Sequence, residues 1–444
     1  MRTLPPRADY RFLEALLIIS VGEIDNPDVF AAMTYALTLH DNPPTSASGA
    51  ARLAHARVIE NLSEAEPFWR LLQSQDAFST PYQNFDFLAA WQRAVGARRG
   101  VLPFIVAAFD ACGQPRCLLP FGLQKVGPLR VVSFLGGKHS NFNLPVWDRA
   151  AAAAASADDL EIIKQCVAAS PHRPDVLTLD RQPQTWHGID NPFLQWPRRP
   201  SNSASARLPI DGTGAEVVER AMSGATRSRL RGKQRKLQNL PGYRYVQASQ
   251  PADVDRMLGR FFELKIAHMS AQGLPNVFAD TEVQSFLRTS CHAGLSEGRP
   301  AVELHALECD AELLALFGVL SDRQCLSVMV NTYTPSEHGR HSPGLILVMN
   351  LIEECARRGI ASFDLGVGES QYKSWFCKEP IELFDTLLPL TPLGRLSTVF
   401  FDTASALKHQ IRSTPALFNA YRSVRRVLSG SHGGRGGDGK VRDE

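Results

Sequence analysis

The chain has no Cys-x-x-Cys pair, and its closest cysteines are Cys112 and Cys117. Eight cysteines spread over 444 residues support neither a disulfide scaffold, a redox dithiol nor a structural zinc knuckle, and no metal site is expected. Cys166, Cys325 and Cys355 sit among apolar residues and read as small core side chains. No apolar run approaches the ~18 residues of a membrane span. The run Ala15-Leu16-Leu17-Ile18-Ile19 is preceded by Arg11 and Glu14 and followed by no clean small-residue cleavage site, so it reads as a short helix and not as a leader. A cytoplasmic location is therefore expected. An excess of one charge is also missing. Lysine and arginine number 48 against 45 acidic residues, a net +3, so anion recognition has to be local. No Gly-Lys-Ser or Gly-Lys-Thr occurs, which excludes a Walker A loop, and Gly366-Val367-Gly368-Glu369-Ser370-Gln371 lacks the third glycine of a dinucleotide fingerprint.

What is present is ordinary globular composition, long enough for two or three domains at ~150 residues each. Residues 84–95 place Phe87, Leu88, Trp91 and Val95 on one helical face. Three apolar runs follow, LPFIVAAFD, PRCLLPFGL and VVSFLGG, then an acid-opened helix over 158–169 and the strand DVLTLD. The second half repeats the order. A helix over 251–267 leads to AVELHALE, ELLALFGVL and QCLSVMVN, then to the helix LILVMNLIEECARR and the strand ASFDLG. Connections as short as Cys309-Asp310 permit only antiparallel neighbours. Each half thus predicts a mixed, largely antiparallel sheet flanked by helices, an α/β (α+β) architecture. PRRPSNSASARLPIDGTG, rich in Pro, Ser and Gly without either period, is expected to be a linker or surface loop at the seam.

The densest polar signal runs from Arg340 to Phe376. Ser342-Pro343-Gly344 before an apolar-periodic helix supplies an N-cap, a proline at the first helical position, and a glycine that lets a ligand approach the backbone. With Arg340 and His341 upstream, these residues form a candidate phosphate or carboxylate site. The strand carrying Asp364 then runs through two glycines to Glu369, Tyr372, Lys373 and Trp375. Glu369 or Asp364 is the candidate base, and His341 is the rival because imidazole titrates near neutrality. Tyr372 is placed to donate to a leaving group, and Lys373 to pair with a phosphate or carboxylate. Cys377 has no partner that marks it as a nucleophile. Arg227 to Lys236 is the one strong charge run. Arg227, Arg231 and Arg235 share a helical face, while Leu230 and Leu237 lie on another. Such a helix can offer cations, Arg231 and Arg235 among them, to the phosphates of a coenzyme, a nucleotide-sugar, tRNA or an anionic lipid. In the first half, the loop from Gly137 to Asn143 offers His139, Asn141 and Asn143 to the acceptor side of a cleft.

The stretch SPGLILVMNLIEECARRGIASFDLGVGESQYKSWF resembles the signature of GNAT-fold acetyltransferases of the CelD-like, or cellulose-biosynthesis, family, related to FemAB aminoacyl transferases. Ser342-Pro343-Gly344 matches the family's Ser-Pro-Gly. Gly368, Tyr372, Lys373 and Phe376 match its G-x-x-x-Y-K-x-x-W/F, with Trp375 one place early. TRSRLRGKQRKLQNLPGY resembles its basic helix, and Thr80-Pro81-Tyr82-Gln83 its thr-pro-phe-gln before the first helix. The resemblance runs from about Glu60 to Leu396 and lacks the Q/R-x-x-G-x-G/A pyrophosphate loop of ordinary GNATs.

The resemblance implies tandem GNAT-like domains, here 60–205 on the acceptor side and 206–400 with the donor site. They would be flanked by an extension over 1–59, a helical segment over 401–429 and a disordered tail over 430–444. It also implies no permanently bound cofactor, acetyl-CoA or another acyl-CoA as co-substrate, and an amine of a sugar or cell-envelope polysaccharide precursor as acceptor. Association with envelope polysaccharide machinery would follow. Two alternatives remain beside it. One is FemAB-like aminoacyl transfer from tRNA, prompted by the basic helix. The other is a non-catalytic binding or scaffold protein of polysaccharide biosynthesis.

Overall fold

The computed structural model describes residues 52–271, 276–367, 373–377 and 381–398. The chain divides into Met1–Ala50 and Ala51–Glu444, and every described residue lies in the second unit.

The first half opens with β1 (His55–Ile59), α1 (Leu62–Ser74) and the short β2 (Ala77–Phe78), then α2 (Phe85–Trp91), which runs on into a π-helical turn over Gln92–Gly96. Strands β3 (Leu102–Phe109), β4 (Pro115–Val126) and β5 (Leu129–Phe134) form an antiparallel meander. After β6 (Val146–Asp148), α3 (Arg149–Ala153) and α4 (Ala157–Ala168), β7 (Val176–Pro183) returns parallel to β5. A two-stranded hairpin, β8 (Thr185–Trp186) with β9 (Ile189–Asp190), precedes β10 (Arg198–Pro209).

The second half carries α5 (Gly214–Ala221), α6 (Gly224–Gln238), β11 (Arg244–Gln247), α7 (Pro251–Ala271) and α8 (Thr281–His292). Its meander is β12 (Glu303–Glu308), β13 (Leu313–Ser321) and β14 (Cys325–Tyr333). Then come α9 (Pro343–Arg358), β15 (Ser362–Val367) parallel to β14, the single turn α10 (Lys373–Phe376) and β16 (Ile381–Pro389). The repeated order read from the sequence is therefore present twice, and α8 adds a helix outside it. That helix packs Phe286 on Phe87 of α2, ring centroids 5.2 Å apart, so it covers the other half as well as its own.

Both halves share one sheet. Its main path is β1-β3-β4-β5-β7-β16-β10-β15-β14-β13-β12-β11, with β2 and β6 beside it. The last strand, β16, pairs antiparallel with β7 of the first half, while β10, which leaves the first half, pairs antiparallel with β15 of the second. Each half thus lends a strand to the other. The segment expected to be a linker is this central strand β10, a correction to the sequence reading. It lacks a period because it serves two neighbours in succession, Thr386 to Ile381 and then Val367 to Ser362, with register breaks after Pro200 and Ser205. Its buried serine is matched by polar partners and not by an apolar core, so the usual alternation never forms.

Candidate active site

Parallel strands β14 and β15 pair at only three positions, Cys325↔Ser362, Leu326↔Phe363 and Ser327↔Asp364. Val328 and Val330 then face successive residues of β13, so Met329 is an extra residue that bends β14 away. The strands part toward their carboxyl ends and leave a V, the place where ligands enter mixed sheets. In a β-α-β crossover the connecting helix runs back antiparallel to both strands, so the N-terminus of α9 lies at the mouth of this V.

That N-terminus carries no side-chain cap. Ser342 occupies the cap position but takes a left-handed conformation, φ 55° and ψ 51°, and its side chain makes no capping hydrogen bond. Its hydroxyl instead accepts a hydrogen bond from Lys233 Nζ at 2.8 Å. The sequence expectation of an ordinary serine cap is thereby corrected: the left-handed backbone turns the hydroxyl outward, at a cost of about 1 kcal/mol or more. A Cβ built on Gly344 would meet nothing nearer than Tyr333 Cδ1 at 4.0 Å, so open space adjoins the Gly344 backbone. The helix dipole and the early amides then face the same region as Lys233, Arg340 and His341. Partial burial, and then the positive Arg340, Lys236, His338 and Lys233, hold the His341 imidazole below its ordinary range. A neutral imidazole here accepts a proton poorly at neutral pH, which weakens His341 as a base.

Helix α6 delivers the cation because Leu230 and Leu237 anchor it in the same core as Ile346 and Leu347 of α9. Lys233 lies between those leucines in sequence and so faces α9. Arg231 and Arg235 are exposed on the outer side, and Arg227 pairs with Glu219 at 2.6 Å. Sequence reasoning chose the arginine stripe, but the leucine spacing decides which cation points inward. Lys373 also differs from expectation. Its ammonium donates to the carbonyls of Gly366 and Val367, at 2.9 and 3.0 Å, and so ties the chain beyond β15. Burial lowers its pKa, opposed by Asp364. Trp375 is more than a third exposed, whereas Phe376 and Cys377 are buried, and burial pushes the Cys377 thiol up to about 12. Glu369 and Tyr372 lie outside the described residues.

Asp364 lies at the point of the V and is fully buried. One carboxylate oxygen accepts from Ser327 Oγ at 2.9 Å and from the Gly366 amide at 2.8 Å, and the other accepts from Ser205 of β10. Burial raises its pKa against the pull of these donors. Ser327 is in turn 2.9 Å from the Tyr82 hydroxyl, and Asn141 Nδ2 donates to that hydroxyl at 2.5 Å and to the Val328 carbonyl at 2.9 Å. The network therefore crosses from one half to the other. Burial, first, and the Asp364 carboxylate hold the Tyr82 phenol well above its ordinary range, so it stays protonated. Gly366 has φ 82°, and a Cβ there would lie 2.8 Å from the Val328 carbonyl oxygen and 3.1 Å from Asn141 Nδ2. Only glycine fits between the opened strand and the asparagine.

The three first-half residues expected on the acceptor side thus separate. Asn141 reaches the V. His139 Nδ1 accepts from Trp91 Nε1 at 3.0 Å and packs on Phe286 at 5.4 Å, and burial with Arg99 nearby lowers its pKa to about 4. Asn143 donates to the Asp180 carbonyl at 3.0 Å and is buried within its own half. Tyr82, Ser327, Ser205 and Lys233 were not singled out by sequence as site residues. Of these, Tyr82 carried a visible signal in Thr80-Pro81-Tyr82-Gln83, and Lys233 lay within the charge run from Arg227 to Lys236.

No curated protein matches the chain by sequence. Residues 224–374 match the acetyltransferase (GNAT) domain. That span holds α6, the V between β14 and β15, and the N-terminus of α9. Among solved structures the chain is similar to FemX, at 11% identity over 77% of this chain and 99% of that one, with a TM-score of 0.51. Other similar structures are the L-PGS of Bacillus licheniformis (12% identity, 74% and 91% covered, TM-score 0.44) and a tandem GNAT protein from the clavulanic acid biosynthesis pathway (13% identity, 77% and 99% covered, TM-score 0.41). At these identities the FemX likeness is one of fold. The chain itself has the mixed α/β architecture, with a large, mostly antiparallel sheet flanked by helices.

Proposed function

We propose that the chain is an N-acyltransferase that moves an acyl group from coenzyme A to an amine, with the donor held by the second half. The observation that carries this reading is the start of α9, free of a side-chain cap, facing Lys233, Arg340 and His341 at the mouth of an opened parallel strand pair, inside the residues matched to the GNAT domain. The residues present fit a diphosphate-bearing donor. The Gly344 backbone is open to close approach, and the adjoining charges are mostly positive, with Arg340 also 3.6 Å from Glu337. Coenzyme A would supply the thioester. This chain's residues would bind its phosphates at Gly344 and Lys233 and admit the acyl end to the V. Glu369 would take the proton from the attacking amine, directly or through water, and Tyr372 would donate to the leaving thiolate. Asp364, hydrogen-bonded on both oxygens, holds the V's geometry and is not the base.

The acceptor, a sugar amine or cell-envelope polysaccharide precursor, and the CelD-like assignment rest on the resemblance of residues 342–376. Calorimetric titration of the full chain with acetyl-CoA tests the reading. Saturable binding that is lost in Gly344→Val supports it, and absence of both heat and thermal shift removes it. Aminoacyl transfer from tRNA is a second reading, favoured by the exposed Arg229, Arg231 and Arg235 on α6. Gel shift at about 0.15 M salt tests it, because affinity lost there marks counterion release alone.

A further inference from the structure

Among the described residues, a different part of the seam between the halves holds three buried nitrogens with no hydrogen-bond partner: Arg149 Nη1, His187 Nε2 and Arg207 Nη1. The three residues meet at the β8–β9 hairpin. Arg149, at the start of α3, donates through Nη2 to the His187 carbonyl. Arg207, on β10, stacks its guanidinium over Trp186 at 4.7 Å, and the Trp186 and His187 rings are 4.7 Å apart. His187 is held at φ 47°, a left-handed conformation that a histidine adopts only at some cost.

Two like charges therefore face one imidazole, with no matching oxygen between them. Burial, then Arg207 and Arg149, lower the His187 pKa to about 4, opposed only by Asp76. The acids at hand are committed elsewhere. Asp76 lies 3.6 Å from Arg149 Nε and accepts from Gln324 Nε2 at 3.2 Å, so its contact is with the other edge of that guanidinium. Asp364 stands opposite Arg207 in the β10–β15 register, but it accepts from Ser205, Ser327 and the Gly366 amide. Buried donors without acceptors cost roughly 1–3 kcal/mol each, more when charged. A protein that gathers three of them around two guanidiniums has the outline of an oxyanion site lacking its anion.

We propose that Arg149, His187 and Arg207 form a binding site for an oxyanion group, a carboxylate or phosphate, at the seam between the two halves. Planar guanidiniums from two sides offer the parallel N–H donors such groups accept best, and Trp186 fixes one of them in place. This site is separate from the start of α9 and stands whether or not the acyltransferase reading holds.

The test follows the imidazole carbon-proton resonances of the full-length protein during titration with inorganic phosphate and, in a second arm, with acetate, at constant ionic strength set by chloride. The His187 resonance is assigned with His187→Gln. It should move and saturate with at least one anion, and the arm that saturates distinguishes phosphate from carboxylate. In Arg149→Gln and in Arg207→Gln the apparent affinity should fall by about tenfold or more. Lys233→Gln should leave the His187 titration unchanged while altering that of His341, which separates this site from the α9 start. If Arg207→Gln melts early, Arg149→Gln, on a side chain 27% exposed, carries the test. A His187 resonance unmoved by both anions to tens of millimolar would overturn the proposal, as would one that moves equally in Arg149→Gln, since either result leaves hydration as the state of these nitrogens.

Discussion

The two halves contain the same crossover, β5–α4–β7 and β14–α9–β15, and they finish it in opposite ways. In each, the parallel strands pair at three positions and then part. In the first half the gap is filled from within. The Arg181 guanidinium donates to the carbonyls of Gly137 and Ser140, and the Arg181 carbonyl accepts from the Asn143 amide at 3.0 Å. In the second half the described residue that enters is Asn141, reaching across from the other half. The helix starts differ in the same sense. Helix α4 is closed by its own acid, because Asp159 accepts from the Ser156 amide at 2.9 Å, the Ser156 hydroxyl at 2.8 Å and the Leu53 amide at 2.8 Å, with Arg52 alongside. Helix α9 begins without an acid in its first turn, with its serine turned to a lysine. One crossover satisfies its own helix start, and the other leaves that start without a side-chain cap. Under the proposed function the donor is held at the second alone, and the first is a braced copy.

Five experiments can break or sharpen that contrast. The largest effect is expected beyond β15. Glu369→Gln should lower kcat by about 10²–10⁴-fold with little change in donor affinity, read from steady-state kinetics beside calorimetry, because only the proton transfer is removed. Next comes the filled gap. Arg181→Ala should destabilise the fold by about 1–3 kcal/mol in urea titration while leaving donor Kd in place, since it strips the carbonyl of buried Ser140 and the exposed Gly137 carbonyl of their donor. An equal loss of donor affinity would mean that the first-half gap is a ligand site after all. Third, Gly344→Val should raise donor KM by roughly 10–100-fold with little change in Tm, because the added side chain enters open space and meets only the ligand.

Asp159→Ala should cost about 1–2 kcal/mol by loss of the cap, with no effect on donor binding. It should also alter the acid limb of stability. Although burial works against it, the Ser156 and Leu53 amides, the Ser156 hydroxyl and Arg52 hold the Asp159 carboxyl below its ordinary range. A depressed carboxyl contributes stability above the unfolded value of about 3.9 and loses it as pH falls through the folded value, so urea midpoints of wild type and variant should converge below about pH 4. The smallest effect belongs to Lys233→Gln. It should weaken donor binding about 3–10-fold at low salt and less at high salt, as a partly exposed cation does. No change at any ionic strength would disconnect α6 from the donor.

The order helix, meander, helix, strand was legible because each element carries its own period. Leu160, Ile163 and Val167 of α4, and Ile346, Leu347 and Leu351 of α9, are buried as their spacing requires. Asp364 and Ser342-Pro343-Gly344 were also visible, as polar or conformationally special residues at the ends of such elements. Strand β10 was not legible. Its polar residues answer Asp364 on a neighbouring strand some 160 positions away, and no local period records such a partner. The choice of Lys233 over Arg231 and Arg235 depended on which helical face Leu230 and Leu237 would bury.

By itself, then, the sequence determined the kinds and succession of elements, since hydrophobic period and end chemistry act over a few residues. Tertiary structure alone decided that the halves exchange strands, that Asn141 closes on Gly366 through Tyr82 and Ser327, and that Arg149 and Arg207 both come to the β8–β9 hairpin, at His187 and Trp186. Those outcomes depend on which distant groups meet once the sheet is complete, and burial then sets the charge and hydrogen-bonding state of each.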